Sequence, residues 1–303
     1  MNIIMEYGSC YDELEKEKWD FAFIGIGSEQ RDITAIEALN GSVSNISSIL
    51  YQPNDCALQV NEKFDVGVDD VEAYLEDLGI SENSKIILEC TSLGFAEILV
   101  LMQALKNLNC KGVDALYLAP GHYARQHPDI YNRRNFDLTT SFAGFKAIPG
   151  QALAYNYGDK AIVLCGYEAE RLSRAFDETE LQGKDCQLIF GVPPYVVGWD
   201  MNSYTNYISV IESNYVSREF YYCGAANPLS VYEKIEKVYK GLGEEQKLFI
   251  LPFGTKPMAL GACAFIVEHN CKNKLSILFD HPQKKKERSY DIGTWNLYRI
   301  IYG

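Results

Sequence analysis

Near the C-terminus, Gly254-Thr255-Lys256-Pro257 follows an apolar run, Lys247 to Pro252, and opens an apolar stretch with helical character. Glycine permits close backbone approach, threonine brings a hydroxyl, lysine brings a cation, and proline suits a first helical turn. Unpaired amides at a helix start, joined by a hydroxyl and a cation, suit a phosphate or carboxylate. An earlier turn, Cys90-Thr91-Ser92-Leu93-Gly94, holds the same place after another apolar run. Its hydroxyls serve equally well as helix caps with no ligand. Two further turns of small or polar residues follow first strands: Gly25-Ile26-Gly27-Ser28 and Gly166-Tyr167-Glu168. The candidate ligand-binding residues are therefore Gly25, Gly27, Ser28, Thr91, Ser92, Gly166, Tyr167, Glu168, Gly254, Thr255 and Lys256.

Other patterns bound the chemistry. Gln30 stands where a G-x-G-x-x-G fingerprint needs its third glycine, and no Walker lysine, G-x-S-x-G or H-E-x-x-H motif occurs. His122 and His281 follow matching strands, as loop residues or as acid–base groups. Glu29 with Arg31 and Glu170 with Arg171 open matching helices, where an ion bridge between lobes and ligand binding are both open. Tyr195 and Trp199 lie in a loop without a counterpart, a candidate lid or interaction surface. Nine cysteines without C-x-x-C, and four histidines without zinc-ligand spacing, imply neither metal nor cofactor. A net charge of −13 argues against a general nucleic-acid surface. No apolar run reaches the roughly 18–20 residues that span a bilayer, and the acidic N-terminus lacks a signal pattern. The expectation is a cytoplasmic protein that does not contact membranes.

The elements that must hold these turns occur twice. Lys85–Tyr123 and the stretch from Lys247 to Lys285 both run through strand, small polar turn, apolar helix, Asn-Cys-Lys, strand and proline. Phe21 to Glu29 echoes Ile162 to Glu170, and Phe136-Asp-Leu-Thr echoes Tyr290-Asp-Ile-Gly. Strand and helix alternate throughout, and nearly continuous apolar strands indicate parallel sheets covered on both faces. The first lobe carries strands near 21–26, 45–51, 63–68, 85–90 and 113–119, with an edge strand near 138–148. The second carries strands near 161–165, 186–191, 218–223, 247–252 and 274–279, and closes with one near 294–302. The expected fold is α/β, two tandem Rossmann-like lobes with mainly parallel sheets related by internal duplication. Their expected bounds are 1–155 and 156–303.

Phe253-Gly254-Thr255-Lys256-Pro257-Met258 resembles the Thr-Gly-Gly-Thr-Lys-like loop of the CRISPR-associated Rossmann fold (CARF) family and its tandem relatives, the SAVED domains. Cys90-Thr91-Ser92 resembles a diverged copy that lacks the second glycine and the lysine. Gly25 to Ser28 and Gly166 to Glu168 take the places of that family's first polar loop. The resemblance implies a Rossmann fold binding a cyclic oligonucleotide messenger between two units, in prokaryotic antiviral defence. With no recognisable effector domain, the signal would pass to a partner protein in a defence complex. In that arrangement the turns bearing Thr91 and Thr255 face one cleft. Two other classes stay open: an enzyme that cleaves a nucleotide or transfers a group, using His122, His281 or Glu168, and a ligand-free structural subunit.

Overall fold

The computed structural model describes residues 1–8, 17–27, 29–124, 136, 138–217, 219–269 and 273–303. Ser28, the Asn270-Cys271-Lys272 triplet and the basic residues Arg125, His127, Arg133 and Arg134 lie outside this set. The described chain is α/β and forms two compact units, Met1–His122 with Ser289–Gly303, and Tyr123–Arg288. The second unit is thus an insertion in the chain of the first. The boundary expected near residue 155 falls inside the second unit, and the last strand belongs to the first.

The first unit holds an eight-stranded sheet of order β1-β15-β7-β6-β2-β3-β4-β5. Its strands are β1 (Asn2–Gly8), β2 (Trp19–Ile24), β3 (Val43–Gln52), β4 (Ala57–Val60), β5 (Phe64–Gly67), β6 (Ile86–Glu89), β7 (Gly112–Tyr123) and β15 (Ser289–Ile301). Helices α1 (Gln30–Leu39), α2 (Val71–Asp77) and α3 (Phe95–Asn107) connect them. The core β3-β2-β6-β7 is parallel. The expected strand near 63–68 is β5, which ends an antiparallel meander with β3 and β4. On the other flank β15 pairs antiparallel with β1 from Asn2↔Ile301 to Gly8↔Trp295. It also runs antiparallel to β7, with Gly112 against Ile300 and Gly121 against Asp291.

The second unit holds β9 (Lys160–Cys165), β10 (Cys186–Gly191), β11 (Phe220–Cys223), β12 (Leu248–Pro252) and β13 (Leu275–Ile277) in the order β11-β10-β9-β12-β13. All four pairings are parallel. The winding reverses between β9 and β12, and in open parallel sheets such a reversal leaves a crevice at the carboxyl ends of the strands. Helices α4 (Glu170–Glu178), α5 (Trp199–Ser213), α6 (Pro228–Lys240) and α7 (Lys256–His269) complete the unit. Ala161, Val163 and Cys165 of β9 pack with Leu172 of α4, Tyr207 of α5 and Phe249 of β12. Ile162 and Leu164, which point the other way along the strand, are equally buried. The strand expected over 138–148 shrinks to β8 (Thr139–Phe142), paired with β14 (Pro282–Lys284). The chain after it lies along β13 through Ile277 N–H to Gln151 O at 3.1 Å.

The repeat is visible in matched detail. Lys85 N–H donates to Asp20 Oδ2 and Lys247 N–H to Asp159 Oδ1, each at 2.8 Å. The core order β3-β2-β6-β7 matches β10-β9-β12-β13. The register differs from the sequence match by two residues: Phe21 lies opposite Ile86, and Lys160 opposite Leu248. Phe21 therefore corresponds to Lys160, not Ile162, and β9 runs farther before its glycine.

Candidate functional site

Within each unit the two polar turns come together. Gly25 lies so close to the turn after β6 that a Cβ there would stand 2.5 Å from the Ser92 carbonyl carbon. Gly166 lies against the Phe253 carbonyl oxygen, and a Cβ would overlap it. Only glycine allows this backbone-on-backbone approach at the carboxyl ends of neighbouring strands. The glycines therefore serve close packing, whatever else they do. Gly27 is exposed.

The first unit fills its own turn with carboxyl groups. Glu89, the last residue of β6, is fully buried. Its Oε1 accepts from Thr91 N–H at 2.7 Å and its Oε2 from Ser92 N–H at 2.9 Å. Ser92 Oγ–H also donates to that carboxylate while accepting from Gly25 N–H at 2.8 Å. Thr91 Oγ1 accepts from Leu118 N–H at 3.1 Å. Burial raises the Glu89 pKa, opposed by those hydrogen bonds. Glu97, in the first turn of α3, is buried with its carboxylate beside Gly94 and accepts from Tyr51 N–H at 3.0 Å. Thr91 and Ser92 are thus buried, with their groups directed into the fold.

The second unit builds the same turn without those carboxylates. At the positions of Glu89 and Glu97 in the aligned repeat stand Leu251 and Ala259, both buried and apolar. Lys256 takes the place of Gly94. Gly254, Thr255 and Lys256 are all half-buried, and no acidic residue occupies the first turn of α7. Thr255 Oγ1–H donates to Ala225 O at 2.5 Å, tying the turn to the loop after β11, and Thr255 O accepts from Ala259 N–H at 2.9 Å.

The neighbouring turn after β9 is braced from below. Ser203 Oγ–H donates to Gly166 O at 2.5 Å and Asn206 Nδ2 to Tyr167 O at 2.9 Å, both from α5. Tyr167 packs among Tyr123, Phe136 and Trp199, with ring centroids 4.8–5.9 Å apart. Trp199 is buried in this cluster, so it is a packing residue and not a lid. Glu168 is half-buried and accepts from Thr139 Oγ1–H at 2.9 Å. Burial raises its pKa, countered by Arg171, the Thr139 hydrogen bond and Arg288.

The arginines at the helix starts bind inside their own units. Arg31 is buried, donating to Leu118 O at 2.6 Å and Ser289 Oγ at 2.7 Å, with Glu29 at 3.4 Å. Arg171 grips Asp280 through two N–H donors, at 2.9 and 2.5 Å, and lies 4.4 Å from the Phe253 ring centroid. Leu118 and Asp280 hold matching positions of the repeat, but Arg31 bonds the main-chain carbonyl of the first and Arg171 the carboxylate of the second. His281 is buried, with Nε2 3.0 Å from Lys146 O. His122 is at the surface, 3.3 Å from Asp291 Oδ2 and stacked on Tyr290 at 5.2 Å.

Among the described residues no group of three or more His, Cys, Asp or Glu could hold a metal ion, and no helix is long and apolar enough to cross a membrane. No family model matches the chain, and a search of the curated proteins finds no match.

Proposed function

We propose that the chain is a binding module for a small anionic nucleotide, seated at the carboxyl edge of the second unit's sheet. The observation that supports this is the contrast between the two copies of one turn. The first copy is occupied by its own buried side chains, Glu89 on the amides of Thr91 and Ser92 and Glu97 beside Gly94. The second replaces them with Leu251 and Ala259 and adds Lys256. A helix start that carries Lys256, and apolar residues where the first copy has glutamates, favours an anion.

In this reading both units descend from one Rossmann-like ancestor, and the first retains the turn as structure. Lys256 and the amides around Gly254 contact phosphate, Thr255 holds the turn in shape, and Gly166 to Glu168 border a ribose or base. The resemblance to the CARF and SAVED families adds that the nucleotide is a cyclic oligonucleotide and that the signal passes to a partner protein in antiviral defence.

Mass spectrometry of small molecules released from the purified chain identifies the nucleotide class. Calorimetric titration with short cyclic and linear oligonucleotides then measures affinity. Lys256→Ala is expected to weaken binding about tenfold or more, the loss of one charge-assisted contact. Unchanged affinity removes Lys256 from the site, and a chain that binds none of the panel defeats the reading.

A further inference from the structure

Helix α5 follows β10 and so begins at the carboxyl edge of the second unit's sheet. One of its faces meets the turn after β9. Ser203 and Asn206 stand on that face and are paired, Ser203 Oγ–H with Gly166 O at 2.5 Å and Asn206 Nδ2 with Tyr167 O at 2.9 Å. Asn202 precedes Asn206 by four residues and shares its face, about 5.4 Å nearer the edge along the helix axis. It is half-buried, and its Nδ2 is enclosed with no hydrogen-bond partner among the described residues.

That placement burdens the fold. An amide N–H taken out of water without an acceptor costs free energy, and nearly every buried donor of a native protein has an acceptor. Alanine at this position would remove the cost and favour the helix. Capping does not account for the asparagine either, because Gly198 is the N-cap of α5. A residue that breaks a local rule at the edge of a crevice marks a functional position. β10 and β12 flank β9 in the sheet, so α5 and α7 start on either side of the Gly166 turn. Asn202 thus stands across that turn from Lys256, where the rest of a nucleotide held by its phosphate extends.

We propose that Asn202 is a binding residue whose Nδ2 donates to a nitrogen or oxygen acceptor on the base or ribose of the nucleotide seated at Lys256. This rests on the nucleotide reading above and adds the contact beyond the phosphate. Two measurements on the full chain test it: calorimetric titration with cyclic dinucleotides of the common bases, and thermal unfolding by circular dichroism. Asn202→Ala is expected to weaken the tightest-binding of these dinucleotides about five- to tenfold, the loss of one neutral hydrogen bond. Its unfolding midpoint without nucleotide is expected to stay level or rise. Asn206→Ala, which removes a bond internal to the fold, is expected to lower the midpoint. A midpoint that falls in Asn202→Ala as it does in Asn206→Ala shows the amide serving the fold and overturns the proposal. Unchanged affinity in Asn202→Ala, with affinity lost in Lys256→Ala, also overturns it and leaves the seat standing. A wild-type chain that binds none of the dinucleotides removes the seat and this contact together.

Discussion

A carboxylic acid whose hydrogen-bond partner is a hydroxyl can change protonation and keep that bond, since the hydroxyl either donates or accepts. Glu168 is placed in this way, with Thr139 Oγ1 at 2.9 Å, in the turn that borders the proposed nucleotide seat. Burial lifts its pKa above the ordinary 4.5 despite Arg171 and Arg288 nearby. The native chain therefore holds this proton to higher pH than the unfolded chain does. Between the ordinary and the raised values the native state binds more protons, so stability falls as pH rises through that window. Glu168→Gln keeps the shape and cannot ionise. Urea unfolding from about pH 4 to about pH 7 is expected to show the variant gaining stability relative to wild type as pH rises. A difference that stays constant across that range means Glu168 titrates in the native chain as it does in the unfolded one.

The devices that join elements are less tolerant. Arg171 connects the start of α4 to the segment just after β13 through Asp280, and its guanidinium lies over Phe253 beside the proposed seat. Arg171→Met leaves Asp280 buried without its cation, a loss expected at about 3–5 kcal/mol by chemical denaturation. Arg171→Lys should recover only part of it, because an ammonium cannot supply two parallel N–H donors. A loss within experimental error for the methionine variant would show that Asp280 finds another partner or a proton. The strands that these arginines brace are legible in the sequence because both of their faces are covered. Ile86 to Glu89 and Leu248 to Pro252 are buried at every position and read as unbroken apolar runs apart from Glu89. β4 is a short strand whose apolar run is broken by Gln59. The turns of the candidate site are also legible, from their small polar residues. What escapes notice is the fate of Glu89 and Glu97. Two glutamates matched to Leu251 and Ala259 in the aligned repeat are a visible signal, but only the folded chain shows that Glu89 turns onto the amides of its own turn and Glu97 onto the Tyr51 N–H of β3.

Partner choice among strands is a property of the whole molecule. An apolar strand after a repeated unit looks like the end of that unit, and the repeat alone assigns the C-terminal strand to the second lobe. Hydrogen bonding gives it to the first: β15 lies between β1 and β7, and Ser289 at its start holds Arg31 and Glu29. The second unit, by contrast, is one continuous segment, Tyr123–Arg288, with its five parallel strands complete. A chain ending at Arg288 therefore loses an interior strand from one sheet and none from the other. Removing β15 takes from β1 its one neighbour in the sheet and exposes the edge of β7, and each buried backbone group left unpaired costs about 1–3 kcal/mol. Several such losses exceed the 5–15 kcal/mol that holds a typical domain together. Hydrogen exchange on the truncated chain is expected to show lost protection across β2, β6 and β7, with β9, β10 and β12 still protected. Loss of protection in β9 and β12 instead would return the last strand to the second unit and make the two lobes consecutive along the chain.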